Sequence, residues 1–228
     1  IDLALAAFRL VDRDIDMRVE KGDGAQVSGG DIVLRIEGPS RGILAAERVA
    51  LNFLGRLSGV ATQTALYVEA AAGTRAKIVC TRKTTPGLRA FEKYAVLCGG
   101  GKNHRFGLHD AMMIKDNHII AAGGIAAALT AAKQAVGHMA AIEIEVETLE
   151  DMEEALEHGA RIILLDNMSL DDLRLAVKLN KGRAVLEASG GVTLDSVKAI
   201  AATGVDVISS GAITHSAPCL DLGLDFLD

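Results

Sequence analysis

The chain has 228 residues, half of them hydrophobic, with 24 Lys+Arg against 30 Asp+Glu and a formal net charge of −6. That length predicts one large domain, or one plus a fragment, with apolar residues enough for a sizeable core. The composition excludes a membrane span, which needs about 18 consecutive apolar residues, and the acidic balance argues against a nucleic-acid surface. Three scattered cysteines (Cys80, Cys98, Cys219) exclude a disulfide scaffold and predict a reducing, cytoplasmic setting.

The chain opens on Ile1 inside an amphipathic stretch, which predicts that its natural N-terminus lies upstream. Residues 1–11 have helical spacing. Turn residues at Gly22-Asp23-Gly24 and Gly29-Gly30 then bracket short strands, including one over 31–37, so 1–45 reads as β-rich with one helix. A long helix follows over 45–72, with a break expected near Leu57-Ser58-Gly59. Thereafter strands ending near Cys80, Ile114, Val146, Leu165, Leu186 and Ser209 alternate with helical patterns over 87–98, 119–136, 149–158, 170–180 and 194–203. Six such units predict a parallel α/β sheet, doubly wound or closed as a barrel. A core of Ile, Val, Leu and Ala, with 3% aromatics and no Trp, favours the barrel. Residues 221–228 are expected to leave it and pack elsewhere.

The net charge hides an asymmetry. Between Arg75 and His118 nine Lys/Arg face three acids, a local +6, which leaves −12 for the rest. Between Glu143 and Asp172 eleven acids face Arg161 alone. Barrel active sites gather at the C-terminal ends of the strands, and each strand here runs into polar residues: Thr81-Arg82-Lys83-Thr84, Lys115-Asp116-Asn117-His118, Asp166-Asn167, Ser189-Gly190-Gly191 and Ser209-Ser210-Gly211. Strand periodicity puts Glu143, Glu145 and Glu147 on one face, aimed into a wet or cation-bearing lumen. Glu145 and Asp166 are the candidates for a divalent cation or ribose hydroxyls; Mg²⁺ suits one or two carboxylates plus phosphate oxygens. The two glycine-rich ends predict a phosphate site. Arg82, Lys83, Arg105 and Lys115, with His104, suit a ligand of several negative charges. Lys115 alone also allows a Schiff-base nucleophile, as in aldolases. His104, His109 and His118 lack metal-ligand spacing, and Cys80 is expected to be a buried small residue.

Further runs stand in order along the chain: Glu47-Arg48-Val49-Ala50-Leu51-Asn52, Ser58-Gly59-Val60-Ala61-Thr62, Thr81 to Gly87, Gly99 to Arg105, Ile114 to His118, and Thr214-His215-Ser216-Ala217-Pro218. Together they resemble the quinolinate phosphoribosyltransferases from end to end. The resemblance implies an open, incomplete α/β barrel beside a smaller N-terminal α/β sandwich, part of which lies before Ile1. The corresponding divisions are 1–62 for the sandwich remainder, 63–213 for the barrel and 214–228 for a tail packing back on the N-terminal domain. It implies a pentosyltransferase that joins quinolinate to phosphoribosyl pyrophosphate with Mg²⁺, giving nicotinate mononucleotide, pyrophosphate and CO2 for NAD synthesis. It also implies homodimers or multiples of dimers.

Family roles map onto this sequence residue by residue. Arg82, His104, Arg105 and Lys115 would hold the quinolinate carboxylates, with Arg48 reaching in from the neighbouring subunit. Lys83 would meet the phosphoribosyl donor, and Glu145 and Asp166 its ribose and metal. Ser189, Gly190, Gly211 and His215 would bind phosphate; Lys115, Glu145 and Asp166 are the residues expected closest to the chemistry. The molybdenum-transport-associated relative shares the fold, but the intact Lys115-Asp116-Asn117-His118 run argues against it.

Overall fold

Residues 1–226 are described by a computed structural model of the chain. Helix α1 (Asp2–Val11) carries Asp2 in its first turn and Arg9 in its last, each complementing the helix dipole. Its buried pair Ala4 and Phe8, four residues apart, packs with Ile15, Ile43, Ala46 and Ala50 into a small N-terminal core. Strands β1 (Asp16–Val19) and β2 (Leu34–Glu37) pair antiparallel at its side. They are the only strands described among the first 45 residues, so this region is less β-rich than its turn residues suggest.

Helix α2 (Ser40–Ala70) runs unbroken for 31 residues. The break expected near Leu57-Ser58-Gly59 does not occur. Glycine inside a helix costs about 1 kcal/mol relative to alanine, and here the missing side chains admit another segment. A Cβ on Gly59 would lie 1.8 Å from the Pro218 carbonyl oxygen, and one on Gly55 would lie 2.9 Å from that of Leu220. The Leu220 N–H closes this seam by donating to the Gly55 carbonyl at 2.9 Å. Beyond it, Leu224 packs against the N-terminal core. Residues 227 and 228 of the expected tail lie outside the described residues. The division at 62/63 falls inside α2, and the one at 213/214 inside a short helix, Ala212–His215, described below.

The remaining strands form one parallel sheet. Strands β3 (Lys77–Val79), β4 (Ala111–Ile114), β5 (Ala141–Val146), β6 (Ile162–Asp166), β7 (Val185–Ser189) and β8 (Val207–Ser209) stand in the order β3-β8-β7-β6-β5-β4. A closed barrel would pair β3 with β4; here they are the two edges, so the barrel is open. Along the edge of β3, Lys102 forms an isolated parallel bridge with Val79. Its N–H donates to Ile78 O at 2.8 Å, and its carbonyl accepts from Cys80 N at 3.2 Å.

The connecting helices are α3 (Arg89–Cys98), α4 (Asp116–Ala122), α5 (Ile125–Ala135), α6 (Leu149–Glu157), α7 (Leu170–Asn180), α8 (Leu194–Ala201) and α9 (Ala212–His215). The helix expected over 119–136 is divided, because Gly123 and Gly124 adopt φ values of 86° and 134° that stop α4 before α5 begins. Thr148, Ser169 and Thr193 cap α6, α7 and α8 with their hydroxyls. The barrel core is aliphatic, with Ile144, Ile163, Leu165, Leu186 and Ile208 buried along successive strands.

Candidate active site

The C-terminal ends of all six parallel strands open into one cavity of about 780 Å³. It is lined by Arg82, Lys83, His104, Arg105, Lys115, Glu145, Asp166, Ser189, Gly190, Gly211 and His215, every residue anticipated for the site except Arg48. Arg48 lies on α2, its side chain 75% exposed and, among the described residues, paired with the adjacent Glu47.

The cationic end is built from two loops. After β3, the segment Thr81–Thr85 is held by a buried carboxylate. Glu92 on α3, fully buried, accepts from Thr85 N at 3.1 Å, Thr85 Oγ1 at 2.8 Å and Arg56 Nη2 at 2.8 Å. Arg56 also donates to Ala217 O at 2.9 Å, tying α2 to the segment after α9. Thr214 Oγ1 donates to Lys83 O at 2.7 Å, fixing the base of the lysine. Arg82 keeps a buried Nε with no partner among the described residues, a donor left for a ligand.

The second loop carries His104 and Arg105. Lys93, only 3% exposed, donates to His104 O at 2.9 Å and Cys80 Sγ at 3.0 Å. Cys80 is thus the buried small residue expected. Asp110 accepts from Gly107 N at 2.8 Å and tightens the turn after Arg105. Burial and the nearby Arg82 charge pull the Arg105 pKa below its ordinary value. Two like charges thus stand near each other, which favours a ligand that supplies an anion.

Of the three alternating glutamates, Glu143 and Glu145 face the lumen. Glu147 follows the last residue of β5 and is exposed, so it does not join them. Glu145 forms an ion pair with Lys115. With this partner and 45% of its side chain exposed, Lys115 lacks the desolvated apolar setting that Schiff-base chemistry uses. Lys115 N donates to His118 Nδ1 at 2.9 Å, so His118 caps α4.

At the opposite end the backbone itself lines the cavity. Asn167 adopts a left-handed φ of 54°, donates its backbone N–H to Ser189 O at 3.0 Å and its side-chain amide to Asp166 Oδ2 at 2.7 Å. Gly190 has φ +90°, and a Cβ there would lie 2.1 Å from Asn167 Oδ1. A Cβ on Gly211 would lie 3.0 Å from both the His215 ring and Lys83 Cδ. These glycines keep open a cradle lined by main chain, the type of surface that holds phosphate.

Three contributors carry no signature that sequence reasoning picked out: Glu187, Lys93 and the Glu92–Arg56 pair. Glu187 lines the cavity floor, buried 3.6 Å from His104 Nε2. Burial and the Glu143 charge push its pKa up to about 7. A Leu-Glu-Ala run in a strand reads as an apolar element with one charged residue. The signal was there only in the rule that a carboxylate inside a parallel sheet needs a reason.

An open parallel α/β barrel with a cationic end, two rim carboxylates and a glycine-lined cradle defines a transferase-type pocket for a ligand with several anionic groups. Residues 1–58 match the quinolinate phosphoribosyl transferase N-terminal domain and residues 60–225 its C-terminal domain. The chain belongs to this family. It is 48% identical over 218 residues to a probable carboxylating nicotinate-nucleotide pyrophosphorylase of Bacillus subtilis, covering 96% of this chain and 75% of that one. The carboxylating nicotinate-nucleotide pyrophosphorylase of Mycobacterium leprae is 46% identical over 211 residues, covering 91% and 73%. The structure of NadC from Streptococcus pyogenes superposes with a TM-score of 0.94 at 45% identity, over all of this chain and 82% of that one.

Proposed function

We infer that this protein transfers the phosphoribosyl group of phosphoribosyl pyrophosphate to quinolinate and releases CO2, making nicotinate mononucleotide and pyrophosphate for NAD biosynthesis. The observation that carries the reading is one cavity with a cationic end suited to a dicarboxylate and a main-chain cradle suited to phosphate. Arg82, His104, Arg105 and Lys115 grip the quinolinate carboxylates, and Arg48 joins them from the second subunit of a dimer. Lys83 meets the donor; Ser189, Gly190, Gly211 and His215 take its phosphate.

Departure of pyrophosphate leaves positive character on the ribose, which Glu145 and Asp166 stabilise across the cavity. The ring nitrogen of quinolinate attacks the anomeric carbon from the cationic end. The nitrogen becomes cationic, and the adjacent carboxylate then leaves as CO2, because the ring can hold the electron pair left behind. Lys115, paired with Glu145, sets a positive charge between the quinolinate carboxylates and the ribose. Most of the rate comes from positioning and fixed charge.

Glu145 and Asp166 place hard carboxylate oxygens in the same cavity as the phosphate cradle, a donor set that fits Mg²⁺. When bound, that ion would neutralise the charge gathering on the pyrophosphate. No helix among the described residues is long and apolar enough to cross a membrane, and the reading places the enzyme in the cytoplasm with small-molecule substrates and no nucleic acid.

The test is product formation by the folded, full-length protein. One CO2 and one pyrophosphate are expected per quinolinate consumed, only with phosphoribosyl pyrophosphate and Mg²⁺ present. Absence of CO2 release under those conditions overturns the assignment.

A further inference from the structure

Arg89 is the first residue of α3, where the helix dipole disfavours a cation. Its guanidinium turns onto the two loops that flank the helix in sequence. Nε donates to Thr84 Oγ1 at 3.0 Å and Nη2 to Arg82 O at 3.3 Å, both in the loop after β3. Nη1 donates to Phe106 O at 3.1 Å, in the loop after α3. One planar group therefore spans the two segments that carry Arg82 and Arg105. Arg89 itself lies outside the cavity lining.

All three acceptors are uncharged oxygens, so this cation adds to the positive charge of Arg82 and Arg105 without cancelling it. As a tie between loops alone, an arginine here is costly, because it stands against a helix dipole and beside like charges. What it supplies is rigidity. A guanidinium holds its N–H groups in fixed directions, whereas an ammonium is a point donor on a flexible stem.

Both ligand-facing arginines depend on that fork. Arg82 is fixed at its carbonyl and keeps a buried Nε with no partner among the described residues. Arg105 directly precedes the Phe106 carbonyl, and its own Nη1 donates to Ala111 O at 3.2 Å. Lys93 joins the same two segments at their starts, through Cys80 Sγ and His104 O. Arg89 joins them further on, at Arg82 and Phe106. Glu92 holds the first loop from Thr85 towards Arg56 of α2.

We propose that Arg89 is a positioning residue that sets the spacing of Arg82 and Arg105, and through it the preference of the site for two carboxylates on adjacent ring carbons. This inference rests on the quinolinate reading of the pocket. Adjacent ring carbons hold two carboxylates closer together than carbons one position apart. Two cations at a fixed spacing tell such isomers apart, since specificity is a difference of affinities. Cations on loosened loops follow either isomer and lose the distinction. The donor's phosphate, set against the main chain of Gly190 and Gly211, is indifferent to Arg89.

The probes are benzene-1,2-dicarboxylate and benzene-1,3-dicarboxylate, which have no ring nitrogen and do not react. Calorimetry on the folded, full-length protein gives their dissociation constants, beside steady-state kinetics with quinolinate, phosphoribosyl pyrophosphate and Mg²⁺. The unmodified protein should bind the 1,2-isomer about 30-fold or more tighter than the 1,3-isomer. In Arg89→Lys, which keeps the charge and loses the fork, that ratio should fall to about 3-fold or less. KM for quinolinate should rise by about 10-fold, the scale of a lost hydrogen bond to a charged group, with KM for phosphoribosyl pyrophosphate within about 2-fold of its starting value. General loss of structure weakens both isomers and the donor together and leaves the ratio in place. Thr84→Val removes the Nε acceptor, along with a 3.5 Å contact from the same hydroxyl to Arg82 O, and should lower the isomer ratio by about 3-fold. Should Arg89→Lys fail to fold, Thr84→Val decides. An isomer ratio unchanged by these substitutions overturns the proposal, as does equal weakening of quinolinate and donor, or a protein that consumes quinolinate without preferring the 1,2-isomer. If the unmodified protein binds neither isomer and consumes no quinolinate, the quinolinate reading itself fails, which is a different result.

Discussion

Arg105 is held on three sides. Its backbone N–H donates to His104 Nδ1, its Nη1 donates to Ala111 O at 3.2 Å, and Arg82 stands nearby as a like charge. Such a side chain grips a carboxylate more than it shapes the fold. Arg105→Ala is expected to raise KM for quinolinate by roughly 30- to several hundred-fold, the scale of a lost buried charge pair. KM for phosphoribosyl pyrophosphate should move far less; equal losses would refute the role. Residues of this type were legible in the sequence because charged and glycine residues cluster at strand ends whatever the packing. Glu187, Lys93 and Glu92 were not, since each is defined by burial and by partners outside its own element. His118 was legible only as a histidine without metal spacing; its task as the cap of α4 depends on a helix start that the 119–136 pattern placed three residues late.

Elements show the same division. The strand ends and the helices over 149–158, 170–180 and 194–203 follow hydrophobic periodicity, and there the chain folds as its pattern reads. Glycines misled in both directions. Gly123-Gly124 lies within an apolar, helix-like run and divides it, whereas Gly55 and Gly59 sit in a run that stays helical because another strand of backbone lies against them. Local rules assign glycine a cost and cannot see what approaches it. Gly59→Ala should therefore destabilise the protein by about 1–3 kcal/mol, the cost of overpacking. The measure is the urea midpoint, compared with Ser58→Ala as a neighbouring control on the same helix. No change in midpoint would mean that residues 218–220 do not hold this seam.

At the scale of the whole molecule the unfinished business is Arg48. In one subunit it is exposed and outside the cavity, which suits a residue supplied to a neighbour. A two-fold dimer places the same patch of each subunit against the other, so each site would use its own Arg105 and its partner's Arg48. Arg48→Ala and Arg105→Ala proteins should each be nearly inactive. Mixed and allowed to exchange subunits, they should recover about a quarter of the native activity, since half the dimers are hybrids with one intact site. No recovery, with exchange verified by native mass spectrometry, would remove Arg48 from the site. The six βα units were legible from periodicity, and the open form through the family resemblance alone, because local pattern does not say whether β3 finds β4.

Helix α2 has a consequence for how such a protein can be divided. The N-terminal and C-terminal family domains meet between residues 58 and 60, inside a 31-residue helix that has no linker at that point. What descent treats as two modules, the backbone treats as one rod. A barrel begun at residue 60 would start mid-helix, without Arg56 to answer the buried Glu92 that shapes the substrate loop. Recombination between relatives at the domain border would therefore keep its function only where both halves of the rod, and the Arg56–Glu92 pair across it, come from compatible parents.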